Sequence, residues 1–362
     1  MRITKLIVVM PLAISVPAFC QSSVTLSGTL DAGISYVSNE GGHGNAKFDD
    51  GIARPNTLNI SGREDLGGGV VAIFKLTDQF MLGSGSIVPG QSLFSRTALV
   101  GVESAQYGRL TMGNQFDFMN ESLLFGGNDG GAEYIGGLYD FRNGPFNKLA
   151  LPNNPTGSFE WDRLSEDLVE NSVKYVSPDY NGLSAGAMYG FGGVAGSLGS
   201  NNSASFGLNY ANGPFGMAAA YTNTKSDVAG AQASVRNWGV GAHYKFDSVV
   251  ATVLFTTVHN SANGGGVYQG EVAAVYHFDA FWALGAAYSY MKGNSVVDNN
   301  HANQVSSSVS YALSKRSVLY VSAVYQRTNS GANALINGVL DPDGASSGPS
   351  QFIGRVGFVT NF

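Results

Sequence analysis

Residues 23–38 read SVTLSGTLDAGISYVS, and apolar and polar side chains alternate along this stretch. Leu26 and Ile34 fall on even positions, whereas Asp31 and Ser35 fall on odd ones. Side chains two residues apart share one face of a β-strand, so this strand has one apolar face and one polar face. The same period recurs in two later stretches, residues 237–245 and 269–278. The sequence therefore predicts an all-β protein built from two-faced strands.

The composition favours a membrane barrel over a soluble protein or a helical membrane protein. Charged residues make up 13% of the 362 residues, about half of the usual share, whereas glycine accounts for 49 residues. After residue 20 no run of 18 apolar residues occurs, so the sequence predicts no membrane-spanning helix. Alternating strands can instead span a bilayer as a closed barrel. A two-sheet sandwich is the alternative, but a chain of this length would usually divide into two domains, and no linker is visible.

Residues 1–20 have the pattern of a secretory signal peptide. Basic Arg2 and Lys5 precede an apolar stretch, and a cleavage site is expected after Cys20. The remaining residues 21–362 are predicted to form a single domain with 18 basic and 26 acidic residues, a formal charge of −8. That domain has no cysteine and therefore no disulfide or thiolate site. Its negative charge and the absence of a cluster of lysines and arginines argue against a nucleic-acid partner.

Turn-forming residues divide the chain into sixteen predicted strands, because seven tight turns alternate with eight longer connections. The prediction is thus a 16-stranded antiparallel transmembrane β-barrel. With eight long and seven short connections, both termini should lie on the side of the tight turns, which is the periplasmic side. Aromatic residues gather on that side, as in the interfacial girdle of membrane barrels. The longer connections centre near residues 45, 87, 140, 197, 229, 263, 297 and 338.

The third long connection, residues 117–168, has about fifty residues without a clear period. Connections of this length are rare and are usually functional or disordered. The lumen of a sixteen-strand barrel is wide enough to hold such a segment, so we expect it to fold into the lumen and narrow it. Its acidic residues Asp117, Glu121 and Asp129 would then face the opposite wall. A solvated external loop is the alternative.

Strand parity assigns other side chains to the inside or the outside of the barrel. Arg63, Lys75 and Lys174 fall on the inward parity and are candidates for a basic wall opposite the loop acids. Residues 249–258 are apolar on both faces, and there we expect Leu254 to face lipid.

Several segments of the chain resemble the general porin family of Gram-negative bacteria, and most closely the trimeric porins typical of β-proteobacteria. They are spread over nearly the whole mature chain. These segments are Gln21–Gly33, Gly62–Gly69, Ser95–Gly101, Met112–Asp117, Asn171–Pro178 and the terminal Phe362.

The resemblance implies a homotrimer of barrels in the outer membrane, in contact with lipids and lipopolysaccharide. Each barrel would have a water-filled pore, constricted by the third loop, for passive diffusion of ions and small hydrophilic solutes. Arg96 matches one of the arginines that the family carries on the wall facing the loop. Other family arginines are absent, since Thr57, Ser61 and Asn114 stand near their usual places. From these absences, the net charge and the loop acids Asp117, Glu121 and Asp129 we expect weak cation selectivity.

The resemblance also implies that the C-terminal strand is the membrane-assembly signal. In the family, apolar residues occupy every second position before a terminal phenylalanine. Phe362, Phe358 and Val356 keep this pattern, whereas Thr360 departs from it.

No motif in the sequence indicates an enzyme, a cofactor or a metal. The five histidines are not spaced as metal ligands, and no nucleophile elbow or phosphate-binding loop occurs. Glu64 and Asp65 are adjacent on a predicted strand and point to opposite faces. A substrate-selective outer-membrane channel is the main alternative function, followed by a barrel enzyme and an adhesin.

Overall fold

The computed structural model describes residues 23–88, 91–130, 142–152, 160–165, 168–336 and 344–362. The predicted signal peptide lies outside these residues. All strands belong to one antiparallel sheet. They are β1 (Ser23–Glu40), β2 (His43–Asp50), β3 (Thr57–Gly67), β4 (Val70–Gln79), β5 (Thr97–Ser104), β6 (Gly108–Phe116), β7 (Leu168–Val176), β8 (Leu183–Gly190), β9 (Ser203–Asn212), β10 (Phe215–Val228), β11 (Ala231–Phe246), β12 (Val249–Asn260), β13 (Gly266–His277), β14 (Trp282–Gly293), β15 (His301–Ala312), β16 (Ser317–Thr328) and β17 (Ser350–Asn361).

The sheet closes into a barrel because β1 pairs with β17. β2 pairs with the second half of β1, and β3 pairs with its first half. β2 and β3 are therefore two halves of one barrel strand, interrupted at residues 51–56. Counted this way, the barrel has sixteen strands, which confirms the prediction.

Alternation along the strands separates an outward from an inward face, as predicted. In β1, Leu26 and Ile34 have exposed fractions of 62% and 66%, whereas Asp31 and Ser35 are fully buried. An apolar outer face is what a lipid-embedded barrel requires. Leu254 departs from the expectation: it is 3% exposed and lies on the inward face of β12, so our placement of this residue against lipid is wrong.

Two connections that we expected to be long are tight turns. Gly41 and Gly42 join β1 to β2, and Ala229 and Gly230 join β10 to β11. All four residues have positive φ, between 54° and 102°. Two successive positive φ values match the right-handed twist of paired strands, so these hairpins continue the sheet beyond the predicted strand ends.

The C-terminal residue lies at the seam of the barrel. Phe362 exchanges two backbone hydrogen bonds of 3.1 Å with Gly28 of β1. Its ring also covers Gly28, because a Cβ atom there would lie 2.4 Å from the Phe362 Cζ atom. The departure at Thr360 is accommodated by a 2.9 Å hydrogen bond to the Ser317 hydroxyl on β16.

The described helices are short. They are a π-helix, Met119–Leu124, and two 3-10 helices, Asn147–Leu149 and Ser295–Val297. None of the helices in the described part of the chain has the length and apolar character needed to cross a bilayer.

Candidate functional site: a basic cavity beside the third connection

A cavity of about 350 Å³ lies between strands β3 to β7 and the start of the third connection. Of the described residues that line it, four are basic and one is acidic. They are Lys75, Arg96, Arg109, Lys174 and Glu121.

Strand pairing brings these charges together from distant parts of the sequence. Lys75 lies on β4, opposite Leu99 of β5, and Lys174 lies on β7, opposite Thr111 of β6. Arg109 precedes Thr111 by two residues and therefore shares its inward face. The basic side chains thus lie on adjacent strands of one wall.

Glu121 of the π-helix joins this wall to the third connection. Its Oε1 atom accepts a hydrogen bond from the Lys174 Nζ atom at 2.8 Å and lies 3.7 Å from the Arg109 Nη2 atom. The Lys174 ammonium also donates to the Phe116 carbonyl at 2.8 Å and lies 5.6 Å from the centre of the Phe118 ring. One carboxylate therefore offsets part of the charge of two cations and leaves the cavity basic.

The cavity contains some of the predicted site residues but not others. Arg96, Lys75, Lys174 and Glu121 line it together. Arg63 does not: its guanidinium pairs with Glu103 at 2.6 Å and is half-exposed.

Asp117 and Asp129 are buried and paired with arginines of the same connection. The Asp117 Oδ2 atom accepts from the Arg163 Nε atom at 2.7 Å. The Asp129 Oδ2 atom lies 2.6 Å from the Arg142 Nη1 atom. Neither acid is among the residues that line the cavity.

The third connection contacts the inward-facing side chains of several strands. The Phe118 amide donates to the Ser205 hydroxyl of β9, and the Thr256 hydroxyl of β12 donates to Asp162. Glycines make room for these contacts. A Cβ atom at Gly207 would lie 2.4 Å from the Phe118 ring, and one at Gly186 would lie 2.1 Å from it.

Arg142 is the centre of a buried ionic cluster that fastens this connection to β13. Its Nη2 atom donates to Glu271 of β13 at 2.8 Å, and its other nitrogen atoms face Asp129, Glu160 and Asp162. Burial disfavours the charged guanidinium, but the four carboxylates outweigh this and raise the pKa of Arg142 above its ordinary value.

The carboxylates of the cluster outnumber its one described cation. Burial, reinforced by repulsion from Asp162, raises the pKa of Glu160 well above its ordinary value, and burial likewise raises the pKa of Asp162. Throughout the described ranges, no grouping of three or more histidine, cysteine, aspartate or glutamate residues could hold a metal ion.

Three arginines of the site were missed at the sequence level. Arg109 could have been found by parity, because its neighbours Leu110 and Met112 point outward. Arg142 and Arg163 lie in a connection without a period, so only the folded structure shows which acids they neutralise.

Comparisons with known proteins agree with this architecture. A family model described as "Gram-negative porin" matches residues 6–331. An outer membrane porin protein of Bordetella pertussis is 27% identical over 369 aligned residues, covering 86% of this chain and 90% of that protein. The anion-selective porin from Comamonas acidovorans has a similar structure, with a TM-score of 0.78, 20% identity and coverage of 94% of this chain and 100% of that chain. The trimer form of OmpT, an outer membrane protein of Vibrio cholerae, has a TM-score of 0.67 at 15% identity, covering 94% and 99% of the two chains.

The family model spans most of the chain, and the barrel is closed, apolar outside and lined by polar side chains inside. These are the features of a pore that solutes cross by diffusion through the outer membrane. The chain belongs to the Gram-negative porin family and is an outer-membrane channel for passive diffusion.

Proposed function

We propose that the basic cavity is the narrowest part of the diffusion path and that it gives the channel a preference for anions. The cavity is lined by four cationic side chains and, within the described residues, by a single carboxylate. Charges of one sign in a narrow passage with low-dielectric walls concentrate the opposite ion. Chloride and small organic anions are thus the preferred solutes.

The main support for this proposal is that two acids of the third connection form ion pairs with arginines of the same connection. Asp117 and Asp129 would have balanced the basic wall if they had faced the cavity, but each forms a buried ion pair with an arginine. We therefore propose an anion preference in place of the weak cation selectivity expected from the sequence, because that expectation counted the acids and omitted Arg142 and Arg163.

The proposal requires the third connection to lie inside the lumen. Its hydrogen bonds to Ser205, Thr256 and Glu271 support that position, since these side chains belong to the buried face of their strands. The anion selectivity named for the Comamonas acidovorans porin is consistent with it, although that likeness at 20% identity concerns the fold alone.

Paired charge-neutralising variants test the proposed role of the cavity. We expect Lys75→Gln with Arg109→Gln to bring the permeability ratio of chloride to potassium close to one in planar bilayers. The matched control, Lys315→Gln with Arg316→Gln, removes the same charge from an exposed turn. An unchanged ratio in the cavity variant, or an equal change in both, would show that the ions are selected elsewhere.

We further propose that three copies assemble into a trimer, as the trimer form of OmpT suggests. Light scattering in mild detergent should give three times the mass of one chain, and a monomeric mass would exclude the trimer.

The outward apolar residues, Trp238 among them, are proposed to contact lipid and lipopolysaccharide. Brominated lipid should quench part of the tryptophan fluorescence if they do, because Trp238 and Trp282 are exposed whereas Trp161 is buried.

A channel rather than an enzyme is the role that we assign, since the family is one of diffusion channels. Release of fatty acids or peptides from outer-membrane vesicles by the purified protein would contradict this assignment.

A further inference from the structure

The basic cavity also has an apolar side. Ile73, Leu99, Phe116 and Phe125 line it together with the four cations. The Phe116 and Phe125 rings meet edge to face, with centres 5.7 Å apart and planes at 89°. This is a favourable aromatic geometry, and it holds the two rings in a defined arrangement at the edge of the cavity.

Phe125 is unusual because its side chain is 63% exposed while it lines this cavity. The other large apolar residues of the segment 118–125 are buried or partly buried: Phe118 is 1% exposed, Leu123 is fully buried and Leu124 is partly buried. The segment therefore covers its other apolar side chains and leaves one ring open. Exposed apolar surface in a concave site becomes favourable when a ligand covers it.

A cation lies directly beside the aromatic pair. The Arg96 guanidinium carbon is 5.3 Å from the centre of the Phe116 ring, within the range of a cation–π contact. Arg96 also donates to the Gln79 side chain, which holds the guanidinium at the border between the basic and the apolar side. A ligand that reaches both sides needs a negative group next to a flat apolar group.

We propose that this cavity is a binding subsite for small aromatic monocarboxylates. The carboxylate would pair with the cations around Arg96, Lys75 and Arg109, and the aromatic ring would pack on Phe125 and Phe116. The volume of about 350 Å³ lies within the range of small-molecule sites. This inference rests on the proposed anion path, and it adds a preference among anions that charge alone does not give.

Block of the chloride current by added anions tests the subsite in the wild-type channel. Sodium benzoate should reduce the current at a lower concentration than sodium acetate does, because acetate has the carboxylate without the ring. Benzyl alcohol, which has the ring without the charge, should block less than benzoate. Equal half-blocking concentrations of benzoate and acetate would overturn the aromatic subsite.

Substitutions at Phe125 test whether its ring forms the aromatic part of the subsite. Phe125→Ala should weaken benzoate block roughly two- to tenfold, the range expected for the loss of one aromatic pair, and should leave acetate block unchanged. Phe191→Ala is the control, because Phe191 is an exposed ring that does not line the cavity. Phe125→Leu, which keeps an apolar side chain, serves as a second variant if Phe125→Ala fails to assemble. Equal weakening in the Phe125 and Phe191 variants would refute the assignment.

The two proposals can fail separately. A wild-type channel that prefers potassium would refute the anion path. A channel that prefers chloride but does not distinguish benzoate from acetate would refute only the aromatic subsite.

Discussion

Among single residues, glycines on the inward face of the strands leave room for side chains of the third connection. Gly186 and Gly207 leave space for the Phe118 ring, and Gly239 leaves space for Leu123, whose Cδ1 atom would be 2.8 Å from an added Cβ atom. Gly186 and Gly207 are partners on neighbouring strands, and Ala220 of β10 is paired with both Gly207 and Gly239. The missing side chains therefore form a recess that accepts the π-helix.

We expect Gly207→Val to push Phe118 out of this recess. The added atoms would overlap the ring, and overpacking of this kind costs about 1–3 kcal/mol. The displaced segment should raise the single-channel conductance and lower the thermal midpoint in detergent.

Gly270→Val is the control for this variant, because a Cβ atom at Gly270 would meet nothing within 4 Å. A conductance that stays at the wild-type value in Gly207→Val would argue that the segment does not limit the pore.

Part of the site could be predicted at this scale. Lys75 and Lys174 were identified because alternation places them inward, and Arg96 because its segment resembles the family. Arg63 has the inward position that alternation predicts, but it forms an ion pair with Glu103 and does not line the cavity. Alternation along one strand does not show which residue of another strand pairs with it. The exposed Phe125 had no sequence signal, because it lies where the chain has no period.

Among the strands, the inward side chains were predictable where one face is polar and the other apolar. They were not predictable where both faces are apolar. Residues 237–245 of β11 and 269–277 of β13 alternate clearly in the sequence, and buried and exposed side chains alternate over most of both stretches in the structure. β12 is apolar on both faces because Leu254 packs against Phe118 and Leu123 of the third connection. An inward apolar residue of this kind reflects contact with a loop, which a strand pattern alone does not reveal.

We expect the attachment of the third connection through the Arg142 cluster to depend on pH. The pKa of Glu160 is raised in the folded protein. Between the ordinary value of 4.5 and this higher pKa, Glu160 is protonated in the folded protein and ionised in the unfolded chain. The contribution of Glu160 to the free energy of unfolding is therefore full below pH 4.5 and decreases as the pH rises toward the pKa of Glu160 in the folded protein. Asp162 contributes with the same sign.

We expect Glu160→Gln to reduce the loss of stability between acidic and neutral pH, because the variant has no carboxylate to deprotonate. Hydrogen exchange of residues 160–165, measured as a function of pH, would report this change. Glu170→Gln, which removes an exposed acid on β7, is the control. The expectation fails if the exchange of wild type and Glu160→Gln depends on pH in the same way.

At the scale of the whole molecule, closure of the sheet explains why the fold was predictable. Sixteen barrel strands leave no open edge once β1 pairs with β17, so each strand has one face toward the lumen and one toward the outside. The excess of acidic over basic residues in the whole chain, by contrast, does not describe the cavity, whose described lining has four basic side chains and one acidic side chain. Net charge is a sum over the chain, whereas permeation depends on the charges that face the narrowest passage.

The zero-current potential of the wild-type channel across a tenfold gradient of potassium chloride shows whether chloride or potassium crosses the pore more readily. A basic constriction predicts the sign set by chloride, with a magnitude that shrinks as the total salt rises, because screening shortens the field of the cavity. A potential with the sign set by potassium would contradict the account, and would mean that carboxylates rather than Lys75, Arg96, Arg109 and Lys174 govern the passage.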